Sequence, residues 1–175
     1  MLSTNQKGAI AETAIAHEAI RLGIEVYRAV AGVGRFDLIF AFEDASLARV
    51  QCKWAPLHRG AIRVRCCSSG RSGEGFWKRP YTAEEIDAIA AYCPDNERRY
   101  YVPIDRASGH ELISLRLAPA KNHQAKGILL ASDYELGAIA QLGERLSGRQ
   151  EAGGSRPPSS TPSAHVVSLL PGSLT

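Results

Sequence analysis

Two neighbouring apolar stretches constrain this chain more than any other feature. Phe36 to Phe42 reads as one β-strand and Ala48 to Trp54 as a second, and Glu43-Asp44-Ala45-Ser46 between them is a polar turn of hairpin length. Side chains alternate across a strand, so Gln51 and Lys53 share one face while Val50, Cys52 and Trp54 share the other. With Asp37 near the start of the first strand, three polar groups sit on strands that should be burying residues such as Leu38, Ile39 and Val50. Buried polar groups cost free energy unless paired, so these three need partners or a purpose.

The flanking segments supply the rest of a sheet and a helix to cover it. Ser3-x-x-Gln6 has capping-box spacing and Gly23 fits a helix stop, which predicts a helix over 4–22. Its interior is rich in alanine, so its axis can lie close to a sheet. Glu12 lies in that part and reads either as a carboxylate aimed at the sheet or as an exposed helix residue. Ile24 to Val30 is a β-branched strand. Gly32-x-Gly34 lacks the third glycine of a dinucleotide loop, and a strand follows where a helix should begin. Pro56 to Gly60 reads as a turn, and Ala61 to Cys67 as a strand with Arg63 and Arg65 on one face. Ser68 to Gly75, rich in glycine and serine, is expected to be a mobile loop. Thr82 to Glu85 makes a short turn. Ile86–Tyr92 and Arg99–Ile104 are read as a strand pair, Leu112 to Leu117 as a short apolar stretch, and Ile128 to Tyr134 as a weak helix or strand. Beyond that, Gln150 to Thr175 is dominated by glycine, serine and proline. The expected organisation is one folded domain, residues 1–134, and a disordered tail, residues 135–175.

Composition matters in three places. The chain is 45% hydrophobic and 22% charged, an ordinary globular balance, so a packed core is expected. No apolar run approaches the ~20 residues that span a bilayer, and the N-terminus has no basic-then-apolar signal pattern, so the expected compartment is cytoplasmic. Cys52, Cys66, Cys67 and Cys93 form no C-x-x-C pair, which argues for buried thiols over a disulfide framework or a zinc site. Charge is the informative quantity. Between Arg49 and Arg79 lie eight basic residues and one acidic residue, Glu74, and Trp54, Phe76, Trp77 and Tyr81 are interleaved with this segment. Such a segment suits a phosphate backbone. Arg35, Arg59, Arg63, Arg65, Arg71, Lys78 and Arg79 are the candidate DNA-binding residues.

If Glu12, Asp37, Gln51 and Lys53 converge, two carboxylates and an amide oxygen form a hard ligand set that suits Mg²⁺. The backbone carbonyl of Cys52, lying between Gln51 and Lys53, is a further candidate ligand. Such a metal polarises a scissile phosphate and activates water. Lys53 then points at the same site, where it orients the attacking water or stabilises charge on the phosphate. Phosphodiester hydrolysis is the economical reading.

These residues also carry a resemblance. Asp37 with Gln51-Cys52-Lys53, preceded by helical Glu12, resembles the PD-(D/E)xK nuclease superfamily. Lys7-Gly8, Ala11-Glu12, Arg35-Phe36-Asp37-Leu38-Ile39, Val50-Gln51-Cys52-Lys53 and Tyr100-Tyr101-Val102-Pro103 are similar to its group I intron-associated homing endonucleases. The resemblance covers roughly residues 4–134. It implies an α/β, restriction-endonuclease-like core: a central mixed β-sheet with the N-terminal helix packed on it. It also implies Mg²⁺-dependent, site-specific cleavage of double-stranded DNA by a homo-oligomer, dimer or tetramer, with no membrane partner. Glu12 and Asp37 become metal ligands, Gln51 takes the usual Asp/Glu position and Lys53 is the catalytic lysine. Gln51 removes one negative charge relative to the wider superfamily, and Phe36 stands where the motif has proline. Gly137 to Arg145 and Gly153 to Pro158 resemble peptides made when a reading frame crosses a transfer-RNA gene, which would suit an element that interrupts or abuts one.

Three other readings stand beside this one. A Holliday-junction-resolvase-like nuclease would share the core and metal site but prefer branched DNA. A catalytically inactive DNA-binding module would bind without cutting, and Gln51 is the residue that permits it. A small-molecule α/β enzyme would need a pocket motif that the sequence lacks.

Overall fold

The computed structural model describes residues 1–30, 34–73, 75–119 and 127–138. Helix α1 (Thr4–Arg21) opens with the expected capping box: Gln6 N–H donates to Ser3 Oγ at 3.2 Å, and Ser3 N–H donates to Gln6 Oε1 at 2.8 Å. Both bonds satisfy donors that a helix start leaves orphaned. The helix stops at Leu22, and Gly23 turns the chain at φ +81°, a left-handed conformation that suits glycine.

Strands β1 (Glu25–Arg28), β2 (Leu38–Ala41) and β3 (Leu47–Trp54) form an antiparallel meander. The turn between β2 and β3 is fastened by the Asp44 carboxylate, which accepts from the N–H of Ser46 at 2.9 Å, while Ala45 adopts φ +63°. The chain then leaves this sheet. Strands β4 (Leu57–His58) and β5 (Ala61–Arg65) begin a second sheet, and β6 (Cys67–Ser72) and β7 (Gly75–Pro80) pair with each other alone as a two-stranded ribbon. The chain returns with β8 (Ala88–Cys93), parallel to β3, and β9 (Arg98–Pro103), antiparallel to β8. After the short helix α2 (Ile104–Ala107), β10 (Leu112–Arg116) and β11 (Leu129–Leu130) complete the second sheet in the order β11-β10-β5-β4. The main sheet runs β1-β2-β3-β8-β9, mixed in direction. A parallel pair needs a long crossover, and here the chain from Ala55 to Asp87 supplies it with strands and turns in place of a helix.

Alternation splits the core in two. Val50 and Cys52 of β3, Ala88 and Ala90 of β8 and Tyr101 of β9 pack with Ile15 and Ala19 of α1. Ile89, Ala91 and Cys93 of β8 and Tyr100 and Val102 of β9 face the other way, onto Ile62 and Val64 of β5 and Leu115 of β10. Small residues, Ala11 and Ala19, let α1 lie close over the sheet, as its composition suggested. All four cysteines are buried free thiols. Among the described residues no helix is long and apolar enough to cross a membrane.

Two local expectations change. Ser68 to Ser72, expected to lie in a mobile loop, pairs instead with Gly75 to Arg79, with Gly70 opposite Trp77 and Arg71 opposite Phe76. The reason is a cross-strand fit: a Cβ on Gly70 would lie 2.6 Å from the Trp77 ring, so the glycine is what lets the indole lie across the ribbon. The strand read over Ala61 to Cys67 ends at Arg65 as β5, and it belongs to the second sheet. The described chain also continues past residue 134: a 3-10 turn, Leu136–Ala138, puts Leu136, 1% exposed, into the helix-side core. The remainder of the expected tail, 139–175, lies outside the described residues, as does the Ala31-to-Val33 part of the expected glycine turn.

Candidate active site

Asp37 stands at the mouth of β2, where its N–H donates to the Val50 carbonyl at 3.0 Å. Its carboxylate faces β3. Oδ2 accepts from the backbone N–H of Cys52 at 2.8 Å and from the side-chain amide of Gln51. Burial pushes the Asp37 carboxyl above the ordinary range, and the Glu12 charge adds to this. The Cys52 N–H bond and the Lys53 and Arg28 cations pull it back down. Gln51 is the single buried polar side chain found among the described residues. Its amide nitrogen also faces the Cys52 carbonyl, at 3.3 Å.

This arrangement bears on whether a cation fits. Asp37 Oδ2 and the Cys52 carbonyl flank the Gln51 amide, whose NH₂ serves as the positive end between two oxygens. Turning the amide over presents its own oxygen to that point, giving one carboxylate, one amide and one backbone carbonyl, a hard oxygen set. Among the described residues no three His, Cys, Asp or Glu side chains cluster as a metal-binding group, so the set depends on these neutral oxygens. The Cys52 thiol takes no part: it faces the helix-side core, and burial raises its pKa well above the ordinary value.

Lys53 shares the Gln51 face, on the side of the sheet opposite α1. Its ammonium donates to the Tyr81 hydroxyl at 2.7 Å and lies 4.9 Å from the centre of the Tyr81 ring. Burial lowers the Lys53 pKa, partly offset by the Asp37 charge. Tyr81 is 3% exposed, and burial pushes its phenol up. Arg35 covers the ring at 4.3 Å. Arg35 is otherwise occupied: it pairs with Glu85 at 3.1 Å and donates to Ser68 Oγ and to the carbonyls of Arg79 and Pro80 at 3.3 and 3.0 Å.

Asp37, Gln51 and the Cys52 carbonyl are therefore brought together, with Lys53 beside them. Glu12 stands apart on the helix side, held by Arg28 at 2.5 Å, and it reaches Asp37 through its charge. Of the basic residues, Arg35 is a strut between the site and the base of the ribbon. Lys78 pairs with Glu111, Arg79 with Glu85, and Arg63 donates to Ser114 Oγ at 2.9 Å. Arg59, Arg65 and Arg71 are exposed. Sequence reasoning placed Tyr81 only among the aromatics interleaved with the basic run, and it missed Arg28 and Glu85. The Pro80-Tyr81 step after a basic aromatic run was visible, but its contact with Lys53 spans 28 positions.

A mixed sheet backed by an N-terminal helix, with an acidic residue opening one strand and Gln-x-Lys inside its antiparallel neighbour, defines a restriction-endonuclease-like nuclease core. The chain belongs to the PD-(D/E)XK endonuclease family, whose model matches residues 2–137, and it is an endonuclease. Among solved structures it is similar to I-Ssp6803I, a bacterial homing endonuclease. The TM-score is 0.66 at 22% identity, with 86% of this chain and 100% of that chain covered, a likeness of fold. No curated protein sequence matches the chain.

Proposed function

We propose that this endonuclease is Mg²⁺-dependent and site-specific, of the homing type, cutting double-stranded DNA by phosphodiester hydrolysis. One observation carries the reading: Asp37, the Gln51 amide and the Cys52 carbonyl meet at one point on β3, next to the half-buried Lys53. The fold shared with a bacterial homing endonuclease supports the type. Asp37, Gln51 and Cys52 would hold the cation, with Glu12 able to join if it leaves Arg28. When bound, the metal supplies Lewis acidity at the scissile phosphate. Lys53, half-buried on β3, orients water or meets charge developing on the phosphate. The ribbon and β5 offer Arg71, Lys78, Arg79, Arg63 and Arg65 to the backbone, with Arg59 exposed nearby. One such site per chain makes one cut, and a double-strand break takes two, so the reading includes a homo-oligomer, dimer or tetramer.

The test is cleavage of duplex DNA carrying uninterrupted transfer-RNA genes from the source genome, with and without Mg²⁺. A discrete cut that needs Mg²⁺ and disappears with a chelator is expected. Tight, salt-sensitive binding without any cut would replace this reading with the inactive binding module. Cutting of branched DNA alone would replace it with the resolvase.

A further inference from the structure

Lys53 is held in an unusual way for a half-buried cation. Its hydrogen-bond partner is a neutral phenol, Tyr81 Oη, at 2.7 Å, and its stem leads from the same strand face as Gln51. A carboxylate in that position would orient the ammonium and also neutralise it. A phenol orients it and leaves its full charge available to a phosphate. Tyr81 is itself fixed from three directions. Its N–H donates to the Cys66 carbonyl at 3.1 Å, its ring carries Arg35 on one cation–π contact and Lys53 on another, and it packs in the core with Ile62, Val64 and Ile86. Arg35 offers no competition for the phosphate, because Glu85 pairs with it.

We propose that Tyr81 is a positioning residue for the reaction: its hydroxyl holds the Lys53 ammonium in the place where it meets the phosphate. Tyr81 follows directly on β7, and Arg35 ties the carbonyls of Arg79 and Pro80 to the same ring. The ribbon and the lysine therefore share one rigid joint. The proposal rests on the reading of Lys53 as the catalytic lysine.

The test compares the full chain with its Tyr81→Phe variant, which keeps the ring and its packing and removes one oxygen. In ¹⁵N-labelled protein without DNA, the hydrogen-bonded Lys53 ammonium should give a slowly exchanging side-chain signal, assigned by its absence in Lys53→Ala. Tyr81→Phe should lose that signal while keeping its melting temperature. With saturating protein on a transfer-RNA-gene duplex, the single-turnover rate of Tyr81→Phe should fall about tenfold, while the dissociation constant for DNA stays within roughly twofold. A Lys53 signal unchanged in Tyr81→Phe, or absent from the wild type, overturns the proposal whether or not DNA is cut. Tyr81→Phe cutting at the wild-type rate, where Lys53→Ala does not cut, overturns it and leaves the nuclease reading standing. Wild-type protein that cuts nothing defeats the site-specific reading, and the ammonium signal still decides the role of Tyr81.

Discussion

Strands β3 and β7 both carry cations, and they carry them in opposite settings. β3 is interior to the main sheet, antiparallel to β2 on one side and parallel to β8 on the other, with Val50, Gln51 and Cys52 buried. β7 belongs to a ribbon of two strands, and every one of its residues is exposed. Lys53 on β3 is one cation in a fixed position. Lys78 and Arg79 on β7, each ion-paired, and Arg71 across from it are several cations on an exposed ribbon. Chemistry at a phosphate needs one group placed to a fraction of an ångström, whereas affinity for a backbone needs many charges placed loosely. On the proposed reading, the difference teaches that this fold separates the two tasks by strand and joins them at Arg35 and Tyr81.

The sharpest way to break the comparison is Lys53→Ala. A single electrostatic group acting at the reacting phosphate is worth about 10²–10³ in rate, so cleavage should drop by at least that factor. DNA affinity should move by less than about threefold, since Lys53 is one charge among many near the backbone. Rate constants and dissociation constants measured on the same duplex check both halves. A variant that keeps its rate would remove Lys53 from the mechanism and leave β3 a structural strand.

A smaller effect probes how firmly β3 is backed. Leu136 packs in the cluster that holds Val50 and Cys52, while Glu135 pairs with Arg98 and bridges to Tyr100. Ending the chain after Tyr134 removes all of this. Emptying a buried leucine site costs about 2–5 kcal/mol, so thermal or denaturant unfolding should show a loss in that range, with a chain ended after Ala138 as control. Equal stability of the two would place the edge of the folded unit at Tyr134, where the sequence suggested it.

What could be read from the sequence was whatever depends on near neighbours. The capping box at Ser3 and Gln6, the turn at Glu43 to Ser46, the alternation that puts Gln51 and Lys53 on one face, and the pairing of β8 with β9 are all local patterns. Asp37 was findable because a carboxylate at a strand mouth contradicts an apolar strand. The ribbon was not, because glycine and serine have weak strand preference and only the seat of the Trp77 ring across the ribbon makes Gly70 a strand residue. Tyr81 and Glu85 were hidden for the same reason. Their roles exist only once Arg35 and Lys53 are folded against them. Glu12 illustrates the limit from the other side: its position on the helix was legible, but its partner, Arg28 on an edge strand, was not.

The smallest effect tests the ribbon itself, through Gly70→Val. The new Cβ would meet the Trp77 ring at 2.6 Å, closer than any stable contact, so the indole must move off the ribbon. Gly70 and Trp77 touch neither Asp37 nor Lys53, and β6 and β7 pair only with each other, so the main sheet should keep its stability. The expected loss is in binding: disturbing the register displaces Arg71 and Lys78 together, and losing two phosphate contacts should flatten the dependence of log affinity on log salt by roughly two. At moderate salt that amounts to an affinity loss of about tenfold. The cleavage rate at saturating protein should hold, because Tyr81 is fastened below the ribbon by Cys66 and Arg35. If the saturated rate falls along with affinity, the ribbon reaches the lysine through that joint, and the division of labour between β3 and β7 is a coupling instead of a separation.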